Sequence, residues 1–216
     1  MTIKEILLKI TSEYPIARKQ DVVGHPLRKY IEGEVPKILL QVIDPKYRDI
    51  KIKASAQQGG WLNRPWINFM DPRVTKSAMI GYYPIYNFSE DNKRIVLHIG
   101  QGHDELTKKF KKQWKEIRNS RAIIMKQKVS EHLERFKDNP SKLKNYQKDG
   151  KDYISSHFGK IYKADKLPVE EELQEDLNQI LDLYQKVIAR GGIKSEENIK
   201  IKQTNKQAWL EESIQA

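Results

Sequence analysis

The spacing of apolar residues changes twice along this chain, and the change limits the folds open to it. From Ile50 to Ala56, the apolar side chains of Ile50, Ile52 and Ala54 alternate with Lys51, Lys53 and Ser55, the period of a half-buried strand with a basic outer face. Trp66 to Met70 reads as a short second strand, stopped by Asp71-Pro72. Residues 81–88 and 94–99 are rich in aromatic and β-branched side chains, and Ser89 to Lys93 supplies a turn between them, which predicts a hairpin. Period two puts Tyr83, Ile85 and Asn87 on one face of its first arm and Tyr82, Pro84 and Tyr86 on the other. Pro84 cannot donate to a ladder, so an edge position or a bulge is expected there.

On both sides of this block the spacing is helical. Ile3, Ile6, Leu7 and Ile10 open the chain, and Leu106, Phe110, Trp114 and Ile117 form a stripe in a Lys-rich middle. A second stripe runs from Ile123 toward Phe136 and ends at Asp138-Asn139-Pro140. Leu173, Leu177, Ile180, Leu181, Tyr184 and Ile188 lie on one face of a helix from Pro168 to Arg190. Pro168 suits its first position, Glu170, Glu171 and Glu172 complement its dipole, and Gly191-Gly192 stop it. Residues 14–36, with three prolines and two glycines, read as a winding connection with room for one short helix. Residues 141–167 are mixed, with tyrosines among lysines. Strands gathered between helices predict an α+β domain: a bent, mainly antiparallel sheet over about residues 50–99, packed by N-terminal, middle and C-terminal helices.

At 216 residues the chain has the length of one domain with a sizeable core, expected over 1–192, followed by a polar linker or tail over 193–216. There is no cysteine, which excludes disulfides, thiolate zinc sites and thiol catalysis. No apolar run has the length of a membrane span, and the opening Met-Thr-Ile-Lys-Glu-Ile lacks a signal-peptide core, so a cytoplasmic protein is expected. The net charge is +11 and unevenly spread: residues 105–163 hold 17 basic and 7 acidic side chains, residues 164–192 hold 3 and 7. A one-sided positive field suits a polyanion such as a phosphate backbone.

Enzymatic motifs are scarce. A phosphate-binding loop, a dinucleotide fingerprint and a His-Glu-x-x-His motif are all missing, and no cofactor is expected. His25, His98, His103, His132 and His157 show no ligand spacing, and His98, inside a predicted strand, reads as structural. Asp71 and Asp91 with Lys93 offer the parts of a metal-dependent nuclease, although Asp91 also suits a hairpin turn. Aromatic and basic residues interleave in two sets, from Trp61 to Tyr86 and from Tyr146 to Lys163. Stacking platforms for DNA or RNA and core aromatics beside a charged face both remain open for these sets.

Ser55 to Trp66 (Ser-Ala-Gln-Gln-Gly-Gly-Trp-Leu-Asn-Arg-Pro-Trp) sets two tryptophans on a glycine-bearing turn. Together with Gly81-Tyr82-Tyr83-Pro84-Ile85 and Ile95 to Gly100, this segment resembles the N-terminal DNA-binding domain of McrB-type modification-dependent restriction enzymes. That family shows a Ser-x-Gly-x-Gly-Asn-aromatic turn, a Pro-Trp-hydrophobic step and a Gly-x-Tyr-Pro-Val strand. The specific motifs cover about 45 residues, and the looser likeness runs over 1–192. Gln57 stands at the first glycine of the turn and Gly60 at its asparagine, two departures that bear on the loop.

The resemblance implies a module that reads a modified base, a modified cytosine foremost, by rotating it out of double-stranded DNA. By position, Trp66 and Tyr83 would wall the pocket, Asn87 would stand where the family can have an apolar residue, and Tyr153, in preference to Tyr162, would close it. Gln58, Gly59 and Gly60 would probe the vacated stack, Trp61 would anchor the turn, and Lys53, Arg64, Lys76 and the basic helix would meet phosphates. Catalysis is then expected elsewhere, in a GTPase motor domain and a nuclease subunit.

Overall fold

Thr2 caps the first helix, α1 (Ile3–Ala17), by accepting from the Glu5 N–H while the Glu5 carboxylate accepts from the Thr2 N–H. The computed structural model describes residues 1–143 and 155–193, together with the backbone of residues 147–148 and 151–152. Glu170 adds a second cap from across the molecule, accepting from the N–H groups of Ile3 and Lys4 at 2.9 and 2.8 Å. Ile3, Ile6, Leu7, Ile10 and Tyr14 are buried along one side of α1, as their spacing predicts.

The expected winding connection is largely helical. Pro26 starts α2 (Pro26–Lys29), capped by His25, whose Nδ1 accepts from the Leu27 N–H at 3.1 Å. A π-helical turn at Tyr30–Glu34 leads into α3 (Val35–Val42), and Pro36 sits in its first turn. Pro26, in a first turn, forfeits no hydrogen bond and starts its helix, whereas Pro36 is accommodated inside the continuous run, where the π-helical turn passes into α3. Pro15, inside α1, also fails to end its helix.

The sheet is open, five-stranded and antiparallel. β1 (Lys51–Gln57) and β2 (Trp61–Met70) form one hairpin, and β3 (Tyr82–Phe88) and β4 (Arg94–Gln101) form the next. β2 begins five residues earlier than the second strand read from sequence, because Gln57 pairs with Trp61 across a tight turn. Pro84 lies in a central strand, yet the β2–β3 ladder ends at Asn68 and Ile85, so the proline faces no donor-requiring neighbour on that side. Beyond β4 come α4 (Asp104–Phe110) and α5 (Trp114–Lys128), then the two-residue strands β5 (Gln147–Lys148) and β6 (Lys151–Asp152). The sheet gains a fifth strand outside residues 50–99: β7 (Gly159–Lys163) pairs along β4, with Tyr162 opposite Ile95.

α6 (Glu170–Ala189) follows, with Val169 as its N-cap and Pro168 just outside rather than at the first helical position. Its buried stripe packs on one face of the sheet, where the Tyr184 and Tyr82 rings meet edge to face at 5.7 Å. Phe69, Tyr86, Phe88, Leu97 and Tyr162 are buried on that same face. Asp176 is fully buried on α6 and is matched by Tyr162 Oη at 2.8 Å, Lys160 Nζ at 2.7 Å and Arg135 Nη2 at 3.0 Å. The core therefore lies between α1, α6 and one side of the sheet. The other side of the sheet is also largely covered, with Asn68, Tyr83, Ile85, Val96 and His98 all buried, and Trp66, Lys53 and Ser55 at its β1–β2 end are the more accessible part.

Candidate nucleic-acid interface

Register assembles that second face. Trp66 pairs with Asn87, Asn68 with Ile85, Ile85 with His98, and Tyr83 with Gly100, and partners across an antiparallel ladder project to the same side. Lys53 and Ser55 of β1 join them opposite Asn68 and Trp66. Four strand steps and one strand spacing separate Trp66 from Tyr83, roughly 14 Å between their backbones. Asn68 and Ile85 form the floor between the two rings. Gly100 keeps this floor clear beside Tyr83, since a Cβ there would come within 2.9 Å of Ile85 Cγ2. Next to Trp66, a shallow depression of about 470 Å³ runs along β1, lined in part by Lys53, Ser55 and Gln57.

Several polar groups on this face are buried or partly buried. The Tyr83 ring is 4% exposed and its hydroxyl donates to the Ala78 carbonyl. Asn87 Nδ2 lies 2.8 Å from His98 Nε2, and burial pushes the imidazole down to about 4, so it is neutral near pH 7 and can accept this bond. His98 thus belongs to the face instead of merely filling its strand. Asn68 is 0% exposed, and neither its oxygen nor its nitrogen has a hydrogen-bond partner. Among the described residues it is the one buried side chain with both polar atoms unmatched. Sequence reading passed over Asn68, although counting two positions from Trp66 puts it on the same face.

The β1–β2 turn has a fixed base and an exposed tip. Tyr14 Oη reaches the carbonyls of Ala56 and Leu62 at 2.8 and 2.9 Å, and Glu32 accepts from the Ala56 N–H at 3.1 Å. Trp61 donates its indole N–H to the Gln20 carbonyl at 2.9 Å and stands edge-on to the His25 ring. Trp61 is therefore packed as an anchor. Gln58 and Gly59 project from this base, and Gly59 takes φ +71°, which a side chain rarely adopts.

Lys53 and Lys76 are exposed, the first on the second face and the second between β2 and β3. Arg64 is buried and reaches Glu90 at 3.5 Å, which makes it a brace between β2 and the β3–β4 turn and a poor phosphate ligand in this arrangement. Lys108, Lys109, Lys111, Lys112 and Lys115 are exposed on and between α4 and α5.

The model of one family, the MrcB-like N-terminal domain, matches residues 9–189. The chain belongs to this family. No curated protein matches it. The MrcB-like N-terminal domain is a DNA-binding module, a recognition domain and not a catalytic one.

Two alternatives read from the sequence fall within this MrcB-like frame. Tyr162 donates to Asp176 on the face covered by α6, so it cannot close a pocket on the second face. Tyr153, the preferred candidate, lies outside the described residues. The carboxylates offered for a nuclease are also kept apart. Asp71 follows the end of β2, level with the start of β3, while Asp91 lies in the turn beyond the end of β3, a separation of at least roughly 20 Å. They cannot share an ion. Asp71 is engaged with Arg73 and Gln185, and Asp91 with Ser89 and the Lys93 N–H. Among the described residues no three His, Asp or Glu side chains gather as metal ligands, and no helix is long and apolar enough to cross a membrane.

Proposed function

We propose that this chain is the specificity module of a modification-dependent restriction system, acting in the cytoplasm on double-stranded DNA. It holds a modified base, a modified cytosine foremost, rotated out of the duplex. Trp66 and Tyr83 wall the pocket, Asn87 lines it, and Tyr153 closes it. Gln58, Gly59 and Gly60 enter the gap left in the stack, while Lys53, Lys76 and the lysines of α4 and α5 meet phosphates. A GTPase motor and a nuclease act from other domains or subunits.

One observation carries this reading: Trp66 and Tyr83 share a strand face on either side of the Asn68–Ile85 pair. A flipped base needs aromatic or apolar walls and polar groups at its edge, and Trp66, Tyr83 and Ile85 together with Asn68, Asn87 and His98 on one face support this reading. The fixed base and free tip of the Gln58–Gly60 turn add the probe that extrusion requires.

The experiment is a gel-shift panel of one duplex bearing 5-methylcytosine, 5-hydroxymethylcytosine, N6-methyladenine or no modification. A second arm places 2-aminopurine beside or at the target position, where extrusion raises fluorescence. Tighter binding of one modified duplex with a fluorescence rise supports the reading. Equal binding of all four duplexes with quenched fluorescence refutes it.

A further inference from the structure

We infer that Asn68 reads the hydrogen-bonding edge of the extruded base, its oxygen accepting from the exocyclic amino group of a C5-modified cytosine and its nitrogen donating to the adjacent ring nitrogen. This rests on the base-flipping reading above and adds to it the residue that contacts the base edge.

In the free protein Asn68 is left unsatisfied. A buried carboxamide with neither atom matched is costly, and such a group in a native fold calls for an explanation. Asn68 sits at 0% exposure with both atoms unmatched. A leucine has the same branching and carries no polar atom to leave unmatched. Asn87 and His98, the other polar groups of the floor, lie within hydrogen-bond distance of each other. Of that pair only His98 Nδ1 is unmatched, so among the described residues Asn68 alone has both of its polar atoms bare. The Tyr86 hydroxyl is also unmatched, but it faces α6 and not the second face.

Position makes the orphan useful. Asn68 lies between the two proposed walls, two residues along β2 from Trp66 and opposite Ile85. Its partner on the other side is Lys53, and Trp66 and Lys53 both line the depression along β1. Trp66 is partly exposed where Asn68 is not, which puts the asparagine beneath the more accessible tryptophan end of the face. A carboxamide carries one donor system and one acceptor, the pattern that meets an amino group beside a ring nitrogen. A site built this way rejects an analogue that lacks the matching group, because its own polar atoms are then left bare. A substituent at C5 leaves that edge intact and points elsewhere in the pocket.

The test uses the 216-residue chain and Asn68→Leu, with two duplexes that differ in one group. One carries a single 5-methylcytosine, and the other carries 5-methylpyrimidin-2-one, the same ring without its amino group. The intact chain is expected to bind the second at least about tenfold more weakly. Asn68→Leu is expected to lose about tenfold or more on 5-methylcytosine and to bind the two duplexes alike. Its melting temperature without DNA should equal or exceed that of the intact chain, which a purely structural asparagine would not allow. If Asn68→Leu binds 5-methylcytosine as the intact chain does, or melts several degrees lower, the assignment to Asn68 is overturned. In that case a retained fluorescence rise at 2-aminopurine leaves base flipping standing. No preference for 5-methyl- or 5-hydroxymethylcytosine and no fluorescence rise overturns both.

Discussion

The ring of Trp61 stands edge-on to that of Tyr14, with centroids 5.3 Å apart and planes at 85°. This contact ties α1 to the base of the Gln58–Gly60 turn, and the Tyr14 hydroxyl reinforces it through the carbonyls of Ala56 and Leu62. Tyr14→Phe keeps the ring contact and removes the hydroxyl. Leaving these carbonyls unmatched should cost about 1–2 kcal/mol of stability in urea unfolding. Because the turn is then less rigidly presented, preference for modified DNA should fall while binding to plain duplex holds. An unchanged preference would mean that the turn needs no such brace.

Gln58 makes the complementary case. It is exposed at the tip, so Gln58→Ala should shift stability by less than about 0.5 kcal/mol. In the proposed role it fills the gap in the stack, and its loss should reduce the 2-aminopurine signal and the affinity for modified duplex together. A variant with full signal would remove Gln58 from the mechanism.

Tyr86 offers a control on the opposite face. Its ring is 0% exposed and its hydroxyl is unmatched, with burial holding the phenol well above its usual range. Tyr86→Phe deletes an unsatisfied group with almost no change of volume, and should be neutral or stabilising by up to about 1 kcal/mol. DNA binding should not change, since this face is covered by α6. A loss of modified-base preference in Tyr86→Phe would blur the division between the two faces on which the candidate site depends.

Strand and helix periods made the α+β class legible, because Ile50–Ala56 and Leu173–Tyr184 each bury one side. What escaped depends on partners distant in sequence. β7 is five residues long and becomes a strand only by pairing with β4. Pro26 and Pro36 look like breakers until the first starts a helix and the second is taken up beside a π-helical turn. The site divides the same way. Alternation along β3 separated Tyr83, Ile85 and Asn87 from Tyr82 and Tyr86, but only the β2–β3 register brings Asn68 to Ile85 and only β4 brings His98 to Asn87. Arg64 looked like any exposed arginine, and its burial beside Glu90 follows from the meeting of β2 with the β3–β4 turn.

Asp71 gives a pH signature that also tests the nuclease alternative. Hydrogen bonds from Arg73, with Gln185 adding to them, hold its carboxyl down at about 2, below the ordinary value of 3.8. A lowered folded-state pKa favours the folded state above the unfolded value, and that contribution fades as pH falls from about 4 toward 2. Asp71→Asn should therefore lose about 1 kcal/mol at pH 7 and match the intact chain near pH 2. Urea unfolding at both pH values reads the difference. The same variant with Mg²⁺ and plasmid DNA should behave as the intact chain does. Magnesium-dependent cleavage lost in Asp71→Asn would revive the catalytic alternative.

Phosphate contacts should separate from base recognition by their dependence on salt. Lys53 is exposed on β1 and Lys76 in the connection between β2 and β3, so neither has to hold the fold together. Each contact that neutralises a phosphate releases condensed counterion and adds about 0.9 to the slope of log affinity against log salt. Lys53→Gln and Lys76→Gln should each lower that slope by about 1 and weaken modified and plain duplexes by the same factor. Arg64→Gln should behave otherwise. Its guanidinium is buried at Glu90, so the change should lower stability and leave the slope nearly as it was. Titrations of both duplexes at four salt concentrations distinguish the two classes. A full unit of slope lost in Arg64→Gln, with stability intact, would return that arginine to the phosphate-binding set.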